Sequence, residues 1–435
     1  MKGDFSRDTF RREKHYSAVR QQQGRVQLDA DWNEQADICA SRDRAIAADV
    51  IGEYGAPEVG GGFAVSSGED GDLGLSAGRL YVAGTLCELE AESSYLTQPD
   101  LPRADAISPA EGRTDLVYLD VWQRLITAVE DPEIREPALG GPDTATRAKT
   151  VWQARVLTDV GVSRCEEPIE GWPPPASDAR LAATFQAGEG RGLVENALYR
   201  VEIHDPGPVG AATFKWSRDN GSRVFAVREL APDSAGGQTE VSVEPTGRES
   251  LLALEEGDRI EALGDQSELM LTPGTMARVD RVDQSRLAVW LDGDLSSHAS
   301  ESHLKLRRWE GAGVLPVAER AVELEQGVEV QFSGGSFATG DYWMFPVRVT
   351  QPTTEWPASP PRGIRHDYCK LAVVTWRSGA GGAWTCEIED CRPLFGSLTV
   401  ERAGTCRRCQ AEIDALRARL DGQARELREL QARLA

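Results

Sequence analysis

The spacing of apolar residues changes period twice along the chain, from helical to alternating and back to helical, which divides it into three stretches. The first thirty residues are polar and basic, with Phe5, Phe10, Tyr16 and Val19 too scattered for a period, and read as an extended arm. A helix is expected from Asp31, whose carboxylate can cap free amides while Glu34 sits at the reciprocal capping-box position. Trp32, Ala36, Cys39, Ile46 and Val50 fall on one face of that helix, interrupted by Asp43, and such a stripe requires a surface to cover it.

From about residue 61 the pattern alternates, and Leu73, Leu75, Leu80 and Val82 lead to a turn at Ala83–Gly84 that predicts a hairpin. Asp115 to Trp122 is apolar on both faces, as a central strand is, and Val151 to Val156 is its expected partner beyond the charged loop EDPEIREPALGGPDTATR. The Pro- and Gly-rich segment 165–192 reads as a linker. Strands resume at Tyr199, Val201 and Ile203. ATFKWS, then Asp219, Asn220 and Gly221, then SRVFAV read as a hairpin, because Asn-Gly adopts the positive φ of a tight turn. Lys215, Arg218 and Asp219 gather at its tip, where a solvated turn is a simpler reading than a binding spot.

GDRIEAL, MARVDRV and the alternating Leu287, Val289 and Leu291 predict a small barrel or sandwich over 239–310. VEVQF, DYWMFPVRV and KLAVVTW are expected to close the same second β unit. The fold class that follows is mainly β: several small β-sandwich or barrel modules with an N-terminal helix and a C-terminal coiled-coil helix. The expected divisions are arm and helix over 1–55, a first β module over 56–164, the linker over 165–192, a second β region over 193–400 and a coiled coil over 401–435.

From Thr405 the helical period returns, and Ile413, Leu416, Leu420, Leu427, Leu430 and Leu434 fall on alternating steps of three and four, with Gln423 the interruption. Ile413, Leu420, Leu427 and Leu434 take the a positions. Exposed alone, the stripe would meet water, so association is expected, and a self-trimer, a dimer or a partner helix all satisfy it. Cys406 and Cys409 continue the heptad backwards and join the oligomerisation seam, foremost as small apolar residues, with interchain disulfides or a metal as further uses. The chain stops inside an unbroken heptad with no C-cap, the expectation for a fragment of a longer protein.

Composition narrows the chemistry. At 435 residues, with 43 Gly and 23 Pro, the chain suits roughly two to four turn-rich units. A net charge of −22 opposes broad docking on nucleic acid or an anionic membrane. No apolar run reaches membrane-spanning length and the start lacks a signal-peptide core, so synthesis in the cytoplasm is expected; this does not confine the finished protein there, since an assembled or released particle exports without such signals. Cys39, Cys87 and Cys165 stand alone and read as small buried hydrophobes. Zinc patterns are weak: Cys386 and Cys391 with Cys406 and Cys409, or His366 and Cys369 with Cys386 and Cys391, the latter spoiled because a strand sends residues three apart to opposite faces. His15, His204, His298, His303 and His366 have no local triad or metal-helix pattern, and GGGF and SGGS lack phosphate-loop spacing. No catalytic residue and no cofactor are assigned. The eleven Trp read as core and interface anchors rather than a sugar-stacking row.

HYSAVRQQQGRVQLDADWNEQADI, YRVEIHDPGPVGAATFKWSRDNGS, TGDYWMFPVR and GIRHDYCKLAVV together resemble an uncharacterised bacterial domain family encoded near phage-tail-like contractile injection systems. The resemblance covers most of residues 1–397, and GRVQLDADWNE and AGRLYVAGTLCE also look like segments of phage baseplate and fibre proteins. It implies a structural or attachment subunit of a tail-like particle, whose partners are copies of itself and other particle subunits, with no nucleic acid and no membrane insertion. A carbohydrate-binding or polysaccharide-acting tail protein that contacts a surface glycan is the alternative, and a zinc-stabilised assembly factor a further one.

Overall fold

The computed structural model describes residues 1–187, 195–232, 237–244, 254–351, 353–379 and 383–398. Helix α1 (Asp29–Ile51) leads into a first module containing β1 (Tyr54–Pro57), β2 (Val65–Ser67), β3 (Leu73–Leu75), β4 (Gly78–Val82), β5 (Thr85–Leu89), β6 (Ser93–Ser94), β7 (Thr114–Ile126) and β8 (Arg147–Leu157). The chain crosses to a second module through β9 (Arg180–Gln186), β10 (Ala197–Ile203) and β11 (Thr213–Ser217). A third follows with β12 (Val224–Pro232), β13 (Gln238–Val243), β14 (Arg259–Leu263), α2 (Asp265–Met270), β15 (Thr275–Asp283), β16 (Ala288–Asp292) and β17 (Lys305–Trp309). The path then retraces itself. β18 (Leu315–Pro316), β19 (Val322–Glu325), β20 (Val328–Ser333), β21 (Tyr342–Val347) and β22 (Thr353–Ser359) complete the second module, and β23 (Asp367–Ser378), β24 (Trp384–Asp390) and β25 (Leu394–Phe395) complete the first.

Sheet order shows that the modules are nested. The first holds sheets β24-β23-β7-β8, β25-β1-β4-β5 and β2-β3-β6; the second is a pair of sheets, β18-β11-β10-β21 and β19-β20-β9-β22; the third is the closed barrel β12-β13-β16-β15-β14-β17. The barrel is thus inserted in the second module, and the second module in the first. Cys165, on the segment that leaves the first module after β8, forms a disulfide with Cys391, which follows β24, a sequence separation of 226.

Each module has its own core. Leu80, Val117, Trp152, Leu371 and Trp376 pack in the first. Aromatic rings dominate the second, where Tyr199 stacks on Phe345 with centroids 5.5 Å apart and Phe332 meets Phe214 at 4.9 Å. The barrel interior is aliphatic apart from Phe225, with Val241, Ile260, Val279, Leu291 and Leu306. A closed barrel needs branched side chains of matched size to fill its axis and leaves no sheet edge open.

The mainly β class, the hairpin of β4 and β5 and the β7–β8 pairing agree with the alternating pattern. Other expectations are corrected. KLAVVTW lies in β23, which pairs with β7 and belongs to the first module, so residues 193–400 are not one continuous second region. A strand apolar on both faces needs neighbours on both edges, and β7 finds the second one far along the chain. The expected linker 165–192 contains β9, a strand between β20 and β22. Asn220 and Gly221 adopt φ of 61° and 65°, as expected of a tight turn, yet β11 and β12 do not pair with each other: the turn passes the chain from the second module into the barrel.

At the N terminus, α1 starts at Asp29 with Leu28 as its cap, and Asp31 takes the third helical position, where its carboxylate accepts from the Leu28 amide at 3.3 Å. Glu34 instead accepts from the Thr9 hydroxyl at 2.6 Å. Ala30 and Ile38 face the body, while Trp32, Ala36, Cys39, Ile46 and Val50 are exposed. Among the described residues no helix is long and apolar enough to cross a membrane. The expected coiled coil over 401–435 lies outside the described residues.

Candidate functional site: an ion network where the three modules meet

Alternation along strands builds the site. In β10, Tyr199, Val201 and Ile203 face the aromatic core, so Arg200 and Glu202 point to the opposite side. In β11, Phe214 and Trp216 face the same core and Lys215 points away. In the barrel, Ile260 and Ala262 of β14 and Leu306 of β17 point inward, which sends Glu261, Lys305 and Arg307 outward. These outward faces would ordinarily be solvated, but the second module, the barrel and β7 of the first turn theirs toward one another. Arg200, Glu202, Lys215, Glu261 and Lys305 are consequently buried.

Burying a charge is costly unless a partner and hydrogen bonds replace water, and each of these five has them. Arg200 donates through Nε and Nη2 to one Glu202 oxygen at 2.9 and 2.7 Å. Lys2, at the start of the arm, donates to the other at 2.6 Å, and the Gly3 carbonyl accepts from Arg200 at 3.0 Å. Lys215 donates to Glu261 at 2.5 Å and lies 3.5 Å from Glu202, which joins the two carboxylates into one network. Glu261 also accepts from the Trp309 indole at 2.9 Å and the Gly274 amide at 3.2 Å, and His204 Nδ1 stands 3.5 Å away.

A second cluster ties the first module to the barrel. Arg124 of β7 donates to Glu268 at 2.6 Å and to Asp265 at 2.7 Å on α2, and Lys305 bonds Glu130 at 2.7 Å and lies 2.8 Å from Glu268. Burial disfavours the ionised form of each network carboxyl, but neighbouring cations outweigh it. Lys2, Arg200 and Lys215 hold Glu202 well below the ordinary carboxylate range, Lys215 and His204 do the same for Glu261, and Lys305 and Arg124 hold Glu268 at about 2. Burial depresses Lys2. A cavity of about 770 Å³ lies against both clusters, with Trp122, Leu125 and Ile364 on its apolar side.

The expected N-terminal arm is partly a component of this site. Beyond Lys2 and Gly3, the Phe5 carbonyl accepts from the Asn220 side chain at 2.9 Å, the Met1 carbonyl from the Tyr342 hydroxyl at 3.0 Å, and Asp8 from Arg362 at 2.9 Å. The start of the arm therefore docks on its own body.

The residues singled out by spacing fall elsewhere. Cys391 is bonded to Cys165, so neither is a free thiol, Cys165 is not a lone buried hydrophobe, and the pairing of Cys391 with Cys386 at a zinc is corrected. Cys386 is free and half-buried, Cys39 is exposed, and Cys87 is buried, which pushes its thiol up to about 12. His366 hydrogen-bonds Asp120 at 2.7 Å. Among the described residues no group of three or more His, Cys, Asp or Glu could hold a metal. Cys406, Cys409, Ile413, Leu416, Leu420, Leu427, Leu430 and Leu434 lie outside the described residues. Lys215, expected at a solvated hairpin tip, is buried in the network; Arg218 pairs with Glu325, and Asp219 accepts from Arg223 at 2.6 Å. Arg200, Glu202 and Glu261 escaped the sequence reading because a charge in an alternating strand looks like an ordinary solvent-facing position, and Lys2 because a basic residue in a polar arm does. The local signal was the triplet in YRVEI, where two opposite charges two residues apart share one face.

The chain matches a family of unknown function, DUF6519, over residues 1–168 and 172–370. It belongs to that family. The match takes in the barrel, the second module and most of the first, and with them every residue of the two ion clusters. No curated protein and no solved structure matches the chain.

Proposed function

We propose that this chain is a structural and attachment subunit of a phage-tail-like contractile injection particle, of baseplate or fibre type, that joins copies of itself and other subunits. The supporting observation is the outer face of α1. Trp32 is 69% exposed, Ile46 60% and Val50 57%, on a helix whose opposite face already packs on the body. Apolar side chains in such a stripe, interrupted here by Asp43, are stabilised by burial at roughly 25 cal/mol per Å², so a partner is favoured.

The stripe repeats at steps of four and three through Trp32, Ala36, Cys39, Asp43, Ile46 and Val50, the spacing by which helices pair. The occupant that fits is the heptad segment 406–434 of another copy, whose leucines follow the same steps. Trimers are the preferred state by likeness to tail fibre and spike components. The carbohydrate-binding alternative would draw on exposed tryptophans, and among the described residues only Trp32 is exposed.

Light scattering on the whole protein and on Trp32→Asp/Ile46→Asp tests the assembly: a wild-type oligomer that dissociates in the variant is expected. Sedimentation of tail-like particles from the bacterium that encodes the chain tests the setting. Its presence in the particle pellet is expected, and its confinement to the soluble fraction would overturn the particle reading.

A further inference from the structure

The first ion cluster does not balance. Lys2, Arg200, Lys215 and Arg307 supply four positive charges, and Glu202 and Glu261 supply two negative ones. Arg307 is the unmatched member. Among the described residues its guanidinium has no ion-pair or hydrogen-bond partner, and its Nε is buried without an acceptor. It stands beside Arg200: a Cβ at Gly221 would lie 3.6 Å from the Cδ of each, at a position whose φ of +65° favours glycine. The second cluster is opposite in sign, with Arg124 and Lys305 against Glu130, Asp265 and Glu268. The positive excess is therefore confined to the end of the cavity where the arm meets β10 and β17. Asp4 and Asp143, the other acids on the cavity lining, are exposed.

We infer that this cavity binds a small organic anion whose dianionic end group, a phosphoryl or a dicarboxylate, sits between Arg307, Arg200 and Lys2. An oxyanion of charge near −2 neutralises the excess and supplies the acceptor that Arg307 Nε lacks. A volume of about 770 Å³ far exceeds one phosphate, so the ligand has a body, and Trp122, Leu125 and Ile364 provide an apolar wall for it. Because the arm contributes Lys2 and Gly3, the bound anion also fastens the arm to the modules.

Isothermal titration calorimetry of the whole protein at constant ionic strength, with inorganic phosphate in one arm and malonate in the other, tests this. One saturable site is expected for at least one anion below about 10 mM, and the better one identifies the end group as phosphoryl or dicarboxylate. Arg307→Gln should weaken that binding by about tenfold or more, since a charge-assisted contact is lost. Arg281→Gln, a stacking partner of Trp290 on the barrel surface, should leave it unchanged. If Arg307→Gln does not fold, Lys2→Gln in the arm decides by the same criterion. Absence of saturable binding of both anions to the wild type overturns the inference, as does binding that the folded Arg307 or Lys2 variant retains at full strength.

Discussion

Helix α1 and the junction of the modules invert the usual partition of side chains in opposite ways. On α1, Trp32, Ile46 and Val50 stand in water; at the junction, Arg200, Glu202, Lys215 and Glu261 are almost fully buried. The charges tolerate burial because each has a partner within hydrogen-bonding reach, whereas the apolar stripe has nothing opposite it among the described residues. An interior built of charge pairs is specific rather than strong: it fixes how modules sit together, and it fails abruptly when one partner is removed. An apolar stripe contributes nothing to the isolated subunit and becomes stabilising only in an assembly.

Acid should break the junction most completely. Glu268 has a folded pKa of about 2 against an ordinary 4.5, and Glu202 and Glu261 are depressed as well. Groups depressed in the folded state contribute stability that is fully present above the ordinary value and lost as pH falls through the folded one. Thermal unfolding followed from pH 7 downward should therefore show stability falling steeply from about 4.5 toward 2. A midpoint unchanged across that window would mean the carboxylates are not ionised in the folded state.

Removing one partner comes next. Glu261→Ala strands Lys215 and the Trp309 indole in a buried site and is expected to cost about 3–5 kcal/mol in chemical denaturation. A smaller change results when both ends go together: Lys215→Met/Glu261→Leu should lose clearly less than the sum of the single variants, because neither charge of the pair is left buried without the other. Strict additivity would show that the two residues act independently.

The smallest expected effect lies on α1. Ile46→Ser should shift subunit stability by no more than about 0.5 kcal/mol, since the side chain is already in water, while weakening self-association measured by sedimentation. A large stability loss in a dilute, monomeric sample would show that the stripe is covered by the subunit itself.

Periodicity in the sequence determined the local elements. Alternation located β4, β5, β7 and β8 and, in the barrel, β14, β15 and β16, and Asn220–Gly221 announced a turn with positive φ, because these depend on backbone sterics and on which face of a short segment is apolar. The helical stripe on α1 was equally legible. What only the tertiary structure decided is which strands pair and which outward faces meet water. β23 joins β7 across some 250 residues of chain, and strand pairing at that range leaves no periodic trace in either partner. Lys2 finds Glu202 two hundred residues away, and Lys215 finds Glu261 across a module boundary. A charged residue on an alternating strand carries the same local pattern whether its face is solvated or covered, so its burial, its depressed or raised proton affinity and its role at the junction exist only once the nested modules close around it.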